Sequence, residues 1–351
     1  MSMRISRRTA AIAVLVSSVA LVVGLAGPAS AAPPVPSLNM DCTKLASATN
    51  PAAAFATPVT QRYAAVSEIG VNPILPNAEV IKTAGGLACE WSNGLYLDGW
   101  TTAPVGVRVE YLPYAASGYW RWAAVLGGTS TSPEHLLCIT NYCQFATSEG
   151  GDFLIVGVQN ARSEAVAENL ARRISTAIQL GATTPFVPPH YGAELDHTCD
   201  QIVRPAVWRA AVGASSALRT FDIPPGWDVV NSAMLLARAP ACSYEAAKGS
   251  GGAGLLSTMP GGRWSFILLS SLLTAPGPLT SITVPEMRPG DAAFTRCDAA
   301  HTHCILDALI ATHWVQVNLL ASDLGGDLIR ADRLAALRPI LSEIALQIYT
   351  P

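Results

Sequence analysis

The chain has 351 residues, of which 50% are apolar and 13% are charged, against about 25% charged in an average soluble protein. Its net charge is −3 and its basic residues are not clustered, whereas a nucleic-acid-binding protein is normally basic with a clustered positive surface. These values argue against nucleic acid as a partner and indicate a chain that can bury a large core.

The first 31 residues predict a secretory signal peptide. A positive start contains Arg4, Arg7 and Arg8, residues 9–26 are almost wholly apolar or small, and Ala31 ends a small-residue cleavage signal. The alternative is an uncleaved membrane anchor, because the apolar run is close to about 17 residues, the lower limit for a spanning helix. The mature chain is expected to be secreted without a stable membrane anchor and to carry 19 basic and 25 acidic residues, a net charge of −6.

The elements that follow predict an α+β fold. After a proline-rich lead over residues 32–40, a helix is expected near Cys42 and an extended segment through Cys89. Residues 105–111 alternate apolar and polar side chains, which indicates a half-buried strand. A helix, a hairpin, a buried strand and an amphipathic helix complete the order α-β-β-α-β-β-β-α. Strands in neighbouring pairs favour an antiparallel sheet with helices packed on it.

A proline-rich stretch, residues 182–192, predicts a linker between a first repeat, residues 41–181, and a second repeat, residues 193–351. The apolar face of the helix that ends the first repeat comprises Val166, Leu170, Ile174, Ala177 and Ile178. The matching face in the second repeat comprises Leu334, Leu337, Leu341, Ile344 and Ile348. Pro339 interrupts this last helix and is expected to kink it. One helix near the start of the second repeat is expected to bury Ile202, Val203, Val207, Ala211 and Val212.

The cysteines predict both a disulfide framework and a tandem duplication. Their number, eight, is even, as expected for bonded cysteines in an exported chain. They form two sets with similar spacing: Cys42, Cys89, Cys138 and Cys143, then Cys199, Cys242, Cys297 and Cys304. Two further segments repeat in the same order. Residues 89–91 (Cys-Glu-Trp) resemble residues 242–244 (Cys-Ser-Tyr), and residues 118–122 resemble residues 262–266.

Four cysteines allow three pairings in each repeat. The two hairpin pairs are close in sequence and predict Cys138–Cys143 and Cys297–Cys304 bonds. The remaining cysteines would then form Cys42–Cys89 and Cys199–Cys242 bonds, each tying the first helix of a repeat to its central strand.

A cysteine that opens a helix, a Cys-x-Trp strand, a late strand and a terminal helix together resemble a known group of domains. These are the exported and lipoprotein domains of unknown function that are common in actinobacteria. Those domains are similar to extracellular sensor domains of bacterial kinases and to the Mog1/PsbP-like α+β fold. The resemblance spans both repeats and implies no catalytic residue. Tyr244 stands where the second tryptophan would, and the lipid-attachment cysteine is missing.

The densest group of potential metal ligands is His301, His303 and Cys304, with Cys297 nearby. Soft ligands at this spacing can hold zinc or copper. The matching segment of the first repeat, residues 139–142 between its two cysteines, contains no histidine, so a disulfide hairpin with exposed histidines explains both repeats better. The sequence therefore assigns no metal, and it assigns no cofactor.

Residues 249–254 fit the G-x-G-x-x-G pattern of dinucleotide sites, which requires a helix immediately afterwards. Here the following residues predict a strand, so a hairpin loop is the better interpretation.

Several tryptophans recur between the repeats, namely Trp91, Trp120, Trp122, Trp264 and Trp314, which favours core packing over ligand contact. Trp100 and Trp227 lack counterparts and are therefore the candidates for ligand contact.

The leading hypothesis is a secreted, non-enzymatic binding or sensing protein whose partner is an extracellular ligand or an envelope protein. The ligand would lie in a cleft between the repeats or on one sheet face. One alternative is a secreted hydrolase that acts on envelope polymers, and another is a structural envelope protein. Converging acids or histidines with shifted pKa in a deep cleft would favour the hydrolase, whereas an apolar cleft would favour binding.

Overall fold

A computed structural model gives the fold as α+β, with two antiparallel sheets and, within the described residues, ten α-helices. The residues it describes are 37–68, 75–95, 97, 102–125, 132–181, 183–184, 198–214, 217–222, 229–239, 241–247, 252–273, 279–297, 304–319 and 333–350. We call the residues up to 184 the first half and those from 198 the second half. No described helix has the length and apolar character needed to cross a bilayer.

The first half builds a six-stranded sheet with helices on both faces. Its elements are α1 (Cys42–Thr49), β1 (Thr60–Arg62), α2 (Ala64–Glu68), α3 (Asn77–Thr83), β2 (Leu87–Ser92), β3 (Gly106–Leu112), α4 (Ala116–Val125), β4 (Glu134–Ile139), β5 (Tyr142–Thr147), β6 (Phe153–Gln159) and α5 (Glu164–Gln179). The strand order is β1-β2-β3-β6-β5-β4, and every neighbouring pair is antiparallel.

The outer face of this sheet is covered by α1 and α5. Helix α5 begins at Ser163, whose side chain accepts a hydrogen bond from the Val166 amide at 3.3 Å. Its apolar face buries Leu170, Ile174 and Ile178 against β3, β5 and β6, as the sequence pattern predicts. Val166, which belongs to the same predicted face, lies in the first turn of the helix and is partly buried.

The second half has α6 (Cys199–Ile202), α7 (Pro205–Val212), β7 (Leu218–Asp222), α8 (Val229–Leu236), β8 (Ala241–Ala246), β9 (Gly252–Met259), α9 (Arg263–Leu273), β10 (Thr280–Ser281), β11 (Ala292–Cys297), β12 (Cys304–Ile310), β13 (His313–Leu319) and α10 (Arg333–Tyr349). Its sheet has the order β7-β8-β9-β13-β12-β11-β10. Apart from the short edge strand β10, this is the strand order of the first sheet. Helices α6, α7 and α10 cover its outer face.

Two details of the second half correct the sequence prediction. The single helix expected over residues 202–212 is two helices, because the chain is extended at Val203 and Arg204 before Pro205 opens α7. Four of the five side chains expected on its face are nonetheless buried, and Val207 is partly buried. Helix α10 continues through Pro339.

The space between the two sheets is filled by a shared core. Helices α2, α3 and α4 of the first half and α8 and α9 of the second half contribute to one apolar cluster. Helix α8 packs on α3 and on strands β3 and β6 of the other half's sheet. The molecule is thus layered as helices, sheet, helices, sheet, helices, with the central helices drawn from both halves.

Close contacts across this central layer tie the halves together. The Ser257 hydroxyl accepts a hydrogen bond from the Leu75 amide at 3.1 Å. The Ser265 hydroxyl of α9 donates to the buried carboxylate of Glu79 on α3. A Cβ atom added at Gly118 of α4 would lie 2.0 Å from the Ser232 hydroxyl of α8, so glycine allows these helices to approach.

Three disulfides are present with the predicted partners. They are Cys42–Cys89, Cys138–Cys143 and Cys199–Cys242. The first and third join α1 to β2 and α6 to β8, as expected for bonds between an opening helix and a central strand. The backbones of Cys297 and Cys304 face each other in the β11–β12 register. The side chain of Cys297 is outside the described residues, so the fourth bond stays a prediction.

Candidate functional site

The residues singled out by the sequence do not form a site within the described structure. Trp100, Trp227, His301 and His303 all lie outside the described residues, so their proposed roles stay predictions. The tryptophans expected in the core divide into three sets. Those that are buried are Trp91, Trp122 and Trp314, whereas Trp264 is partly buried and Trp120 is exposed. Residues 252–254 of the G-x-G-x-x-G segment begin strand β9, so the strand predicted there is present. Residues 249–251 lie outside the described residues, and the hairpin loop stays a prediction.

The inner face of the first sheet holds a row across four strands that consists of three polar residues and one glycine. Glu90 of β2 pairs with Arg108 of β3, Arg108 pairs with Gly157 of β6, and Gly157 pairs with Gln144 of β5. A Cβ atom at Gly157 would lie 2.6 Å from the hydroxyl of Tyr142, so this glycine leaves room for the tyrosine over the sheet. The inner face of the sheet is therefore polar along this row.

Arg108 lies at the centre of a buried ion-pair cluster. Its Nη1 donates to Glu68 Oε1 and its Nη2 donates to Glu90 Oε2, both at 2.8 Å. Both glutamate side chains are fully buried, and the arginine side chain is 11% exposed. One guanidinium group therefore forms ion pairs with two carboxyl groups that are removed from water.

Further hydrogen bonds hold both carboxyl groups in place. Ser67 donates to Glu90 Oε2 and Ser92 donates to Glu90 Oε1, each at 2.6 Å. The amide of Ala78, in the first turn of α3, donates to Glu68 Oε2 at 3.2 Å. Helix α3 also carries Glu79, which bonds to α9. The cluster is therefore connected to the layer that joins the two halves.

The two partners respond to burial in different ways. Burial raises the pKa of Glu68 from its ordinary 4.5 to about 7, against the lowering effects of Arg108 and of the Ala78 amide. The nearby carboxylates of Glu90 and Glu79 raise it further. Burial lowers the pKa of Arg108, but the carboxylates of Glu68, Glu90 and Glu110 outweigh this and the net pKa is raised. Arg108 is thus a permanent cation, while Glu68 titrates near neutral pH.

A cavity of about 160 Å³ opens beside this cluster. Its wall is formed by the four groups Arg108, Glu110, Tyr142 and Gln144, from strands β3 and β5, and by Asn77 at the start of α3. Leu97, Ile155 and Gly157 complete the lining. The cavity is therefore mainly polar and lies against a charged cluster, while most of the central layer is apolar.

Among its described residues, the second sheet does not repeat this arrangement. Counted from the cysteine of each central strand, the matching row is Ser243, Leu255, Asn318 and Ile305. Its buried acid is Asp307, which accepts bonds from Arg296 at 2.9 Å, Trp314 at 3.2 Å and Gln316 at 2.9 Å. The adjoining void is about 10 Å³, at the lower limit for one water molecule. Of these two described voids, the one beside Arg108 is the larger and the more polar.

Glu68 is expected to make the protein less stable as the pH rises through the neutral range. Between pH 4.5 and about 7 the folded state keeps the Glu68 proton while the unfolded chain has lost it. The stabilisation is fully present below the unfolded pKa and is lost as the pH rises through the folded pKa. A shift of this size corresponds to about 3 kcal/mol.

The measurement is urea unfolding of wild type and Glu68→Gln between about pH 4 and about pH 8. The difference in unfolding free energy between the two proteins isolates this group, since the other carboxyls are common to both. Wild type should lose stability relative to the variant with rising pH. Parallel curves over the whole range would contradict the prediction.

No protein-family model, curated protein sequence or solved structure matches the chain. The assignment of function therefore depends on the geometry of the site.

Proposed function

We propose that the chain is an exported, non-enzymatic binding protein that holds a small organic cation in the cavity beside Arg108. The single observation that carries the proposal is this polar cavity, which adjoins a cluster where, among the described residues, the carboxyl groups of Glu68, Glu90 and Glu110 interact with the guanidinium of Arg108. The sequence left two places for a ligand, a cleft between the repeats or one sheet face. The proposal keeps the sheet face, because buried helices occupy the space between the sheets.

The charges around the cavity support a cationic ligand. Three carboxyl groups, on Glu68, Glu90 and Glu110, interact with the one guanidinium of Arg108. Above the pKa of Glu68 the cluster has excess negative charge, and interactions in a partly buried site are less screened than at the surface. An ammonium group near Glu110 would offset that charge, and the Gln144 and Asn77 amides can accept further hydrogen bonds.

The size of the cavity supports a small ligand. A volume of 160 Å³ equals the share of about five water molecules in the liquid, at about 30 Å³ each. It lies below the range of about 300–1,000 Å³ that is typical of drug-sized ligands. A short amine fits this space, and a polymer chain does not.

The same geometry bears on the hydrolase alternative. A carboxyl group with a pKa near 7, as at Glu68, is a property of general acids. Glu68, however, is fully buried behind Arg108 and is absent from the cavity lining. An acid that cannot contact the ligand cannot protonate it, so we favour binding over hydrolysis. The structural envelope role gives no reason for a charged cavity.

The proposal includes the architecture that was expected from the sequence. We propose that residues 41–181 and 193–351 are two copies of one ancestral domain. We also propose that residues 1–31 are a signal peptide that is cleaved from the chain. The matching strand order supports duplication. The three disulfides are consistent with an oxidising compartment outside the cytoplasm. Confinement of the charged cluster to the first half suggests that the copies have diverged in function.

Calorimetric titration with small probes tests the proposed ligand class. At about pH 8, where Glu68 is ionised, ethanolamine and putrescine should bind, whereas acetate and ethylene glycol should not. Glu110→Gln should weaken amine binding by about tenfold or more, because it removes a carboxylate from the cavity wall. Glu164→Gln, an exposed change on α5, is the matched control and should bind amines like wild type.

Two results would overturn the proposal. One is tighter binding of acetate or ethylene glycol than of either amine. The other is a lack of amine binding in wild type combined with native mass spectra that show no retained small molecule after gentle purification.

A further inference from the structure

The hairpin disulfide of the first half lies at the edge of its sheet beside a surface cavity. Cys138 of β4 and Cys143 of β5 are direct cross-strand partners, and β4 is the last strand of the sheet. Cys143 is 7% exposed, and Cys138 is partly buried at the margin of the outer core. Cys138 is therefore the more exposed residue of the pair.

The adjoining cavity has a volume of about 210 Å³. Both cysteines line it, together with the hairpin residues Thr140 and Asn141 and the start of α5 at Ser163. This volume equals that of about seven water molecules in the liquid. A molecule the size of an amino acid can therefore enter and reach the sulfur atoms.

The two long-range disulfides have a different environment. Cys89, Cys199 and Cys242 are at most 3% exposed, and the bonds they form join helices to central strands. Cys42 is partly buried, as Cys138 is, but it lines none of the described cavities. In the second half, the hairpin strand β11 is covered by β10, and Cys304 is fully buried. Among the three described disulfides, Cys138–Cys143 thus combines an edge position with a cavity.

This bond also adds little to the constraint of the fold. It closes a loop of 5 residues, compared with 47 and 43 for the other two. The entropy that a cross-link removes from the unfolded chain grows with loop length. Strands β4 and β5 are already held by their six-residue register and by the pairing of β5 with β6. Opening the bond should therefore leave the sheet folded.

We propose that Cys138–Cys143 is an exchangeable disulfide that forms a reversible mixed disulfide with a small thiol bound in this cavity. The incoming thiolate attacks the Cys138 sulfur, a new sulfur–sulfur bond forms there, and Cys143 leaves as a thiolate that takes up a proton. Attack by Cys143 reverses the step. A second small thiol instead releases the disulfide of the two small molecules and leaves both cysteines reduced, so that the small thiols supply the two electrons.

Exchange with free cysteine tests this assignment on the full native chain. The protein is incubated with cysteine, quenched with acid and alkylated, and its peptides are analysed by mass spectrometry. Cys138–Cys143 should open about tenfold or more faster than Cys42–Cys89 and Cys199–Cys242, because access controls the rate of exchange. Attached cysteine should be found on Cys138, while circular dichroism remains native.

A pair of variants separates the role of the cavity from general accessibility. Ala161→Trp places a large ring in the cavity and should slow exchange at Cys138 by about tenfold. Ala165→Trp, on the exposed side of α5, is the matched control and should leave the rate unchanged. The wild-type protein alone can overturn the proposal. It does so if free cysteine opens all three disulfides at equal rates, or if the added cysteine is attached mainly to Cys143.

Discussion

Replacement of Arg108 by methionine is expected to destabilise the protein by about 3–5 kcal/mol at pH values above about 7. The substitution leaves the carboxyl groups of Glu68 and Glu90 buried side by side without their cation. Their remaining hydrogen bonds, from Ser67, Ser92 and the Ala78 amide, do not supply a compensating charge. The unfolding free energy from urea titration, followed by circular dichroism, measures the loss.

Two further measurements identify the cause of that loss. The destabilisation should shrink as the pH falls below the pKa of Glu68, because a protonated Glu68 carboxyl group no longer needs the charge of the guanidinium. The triple variant Glu68→Gln, Glu90→Gln and Arg108→Met should recover most of the stability, because replacing all members of a buried charged group is far less harmful than removing one. The alternative result is a loss of unfolding free energy that does not change with pH and that the triple variant does not reduce. That result would show that Arg108 acts through packing alone.

Neither half of the chain is expected to fold when it is expressed by itself. Separation would expose the central cluster, to which α3 and α4 contribute from one half and α8 and α9 from the other. It would also remove the Glu79 contact to Ser265 and expose the inner face of each sheet. Exposed apolar surface of this kind lowers stability by roughly 25 cal/mol per Å².

The experiment compares residues 37–184 and 198–351 with the full chain by thermal melting and gel filtration. Each fragment should aggregate or lack a cooperative transition, whereas the full chain should melt in one transition. Mixing the two fragments under refolding conditions should restore part of the native signal. A cooperative melt for either fragment alone would contradict the shared-core description.

If the full chain melts in one transition, a substitution in the central layer should affect both halves. Gly118→Ala should destabilise both halves together, although alanine favours a helix over glycine, because its Cβ would meet the Ser232 hydroxyl. The same variant combined with Ser232→Gly should regain part of the loss. This pair therefore tests the central layer without deleting any chain.

The elements that the sequence predicted well are those whose pattern is local. The terminal helices α5 and α10 bury their predicted faces because a period near 3.6 marks an apolar stripe. Strand β3 was visible from its alternation, and three disulfides have the expected partners. In each case neighbouring residues, or repeated spacing, carried the information.

The elements that the sequence missed are short helices of the central layer and short edge strands. Helices α2 and α3, with five and seven residues, and α8, with eight, are too short to show a clear period. Strands β1 and β7 are short edge strands, and β1 is wholly exposed. These segments become ordered elements through contact with distant parts of the chain, which a local pattern does not encode.

In the candidate site, one strand shows both what a local pattern predicts and what only distant contacts decide. The alternation along β3 places Arg108 and Glu110 on the face opposite Val107 and Val109, and such an alternation usually means that the polar face meets water. Here the other half of the chain and α2 cover that face, so Arg108 becomes a buried cation. A buried arginine requires partners, and Glu68, 40 residues away, is one of them.

The sequence by itself determined the α+β class, the antiparallel arrangement and the pairing of three disulfides, because side-chain periodicity marks each element locally and the cysteine spacing recurs along the chain. The tertiary structure alone decided that the halves share one central core and that a polar strand face lies within it. Those features depend on which surfaces meet after folding, and Glu68 and Arg108 acquire their charge coupling only when water is excluded between them.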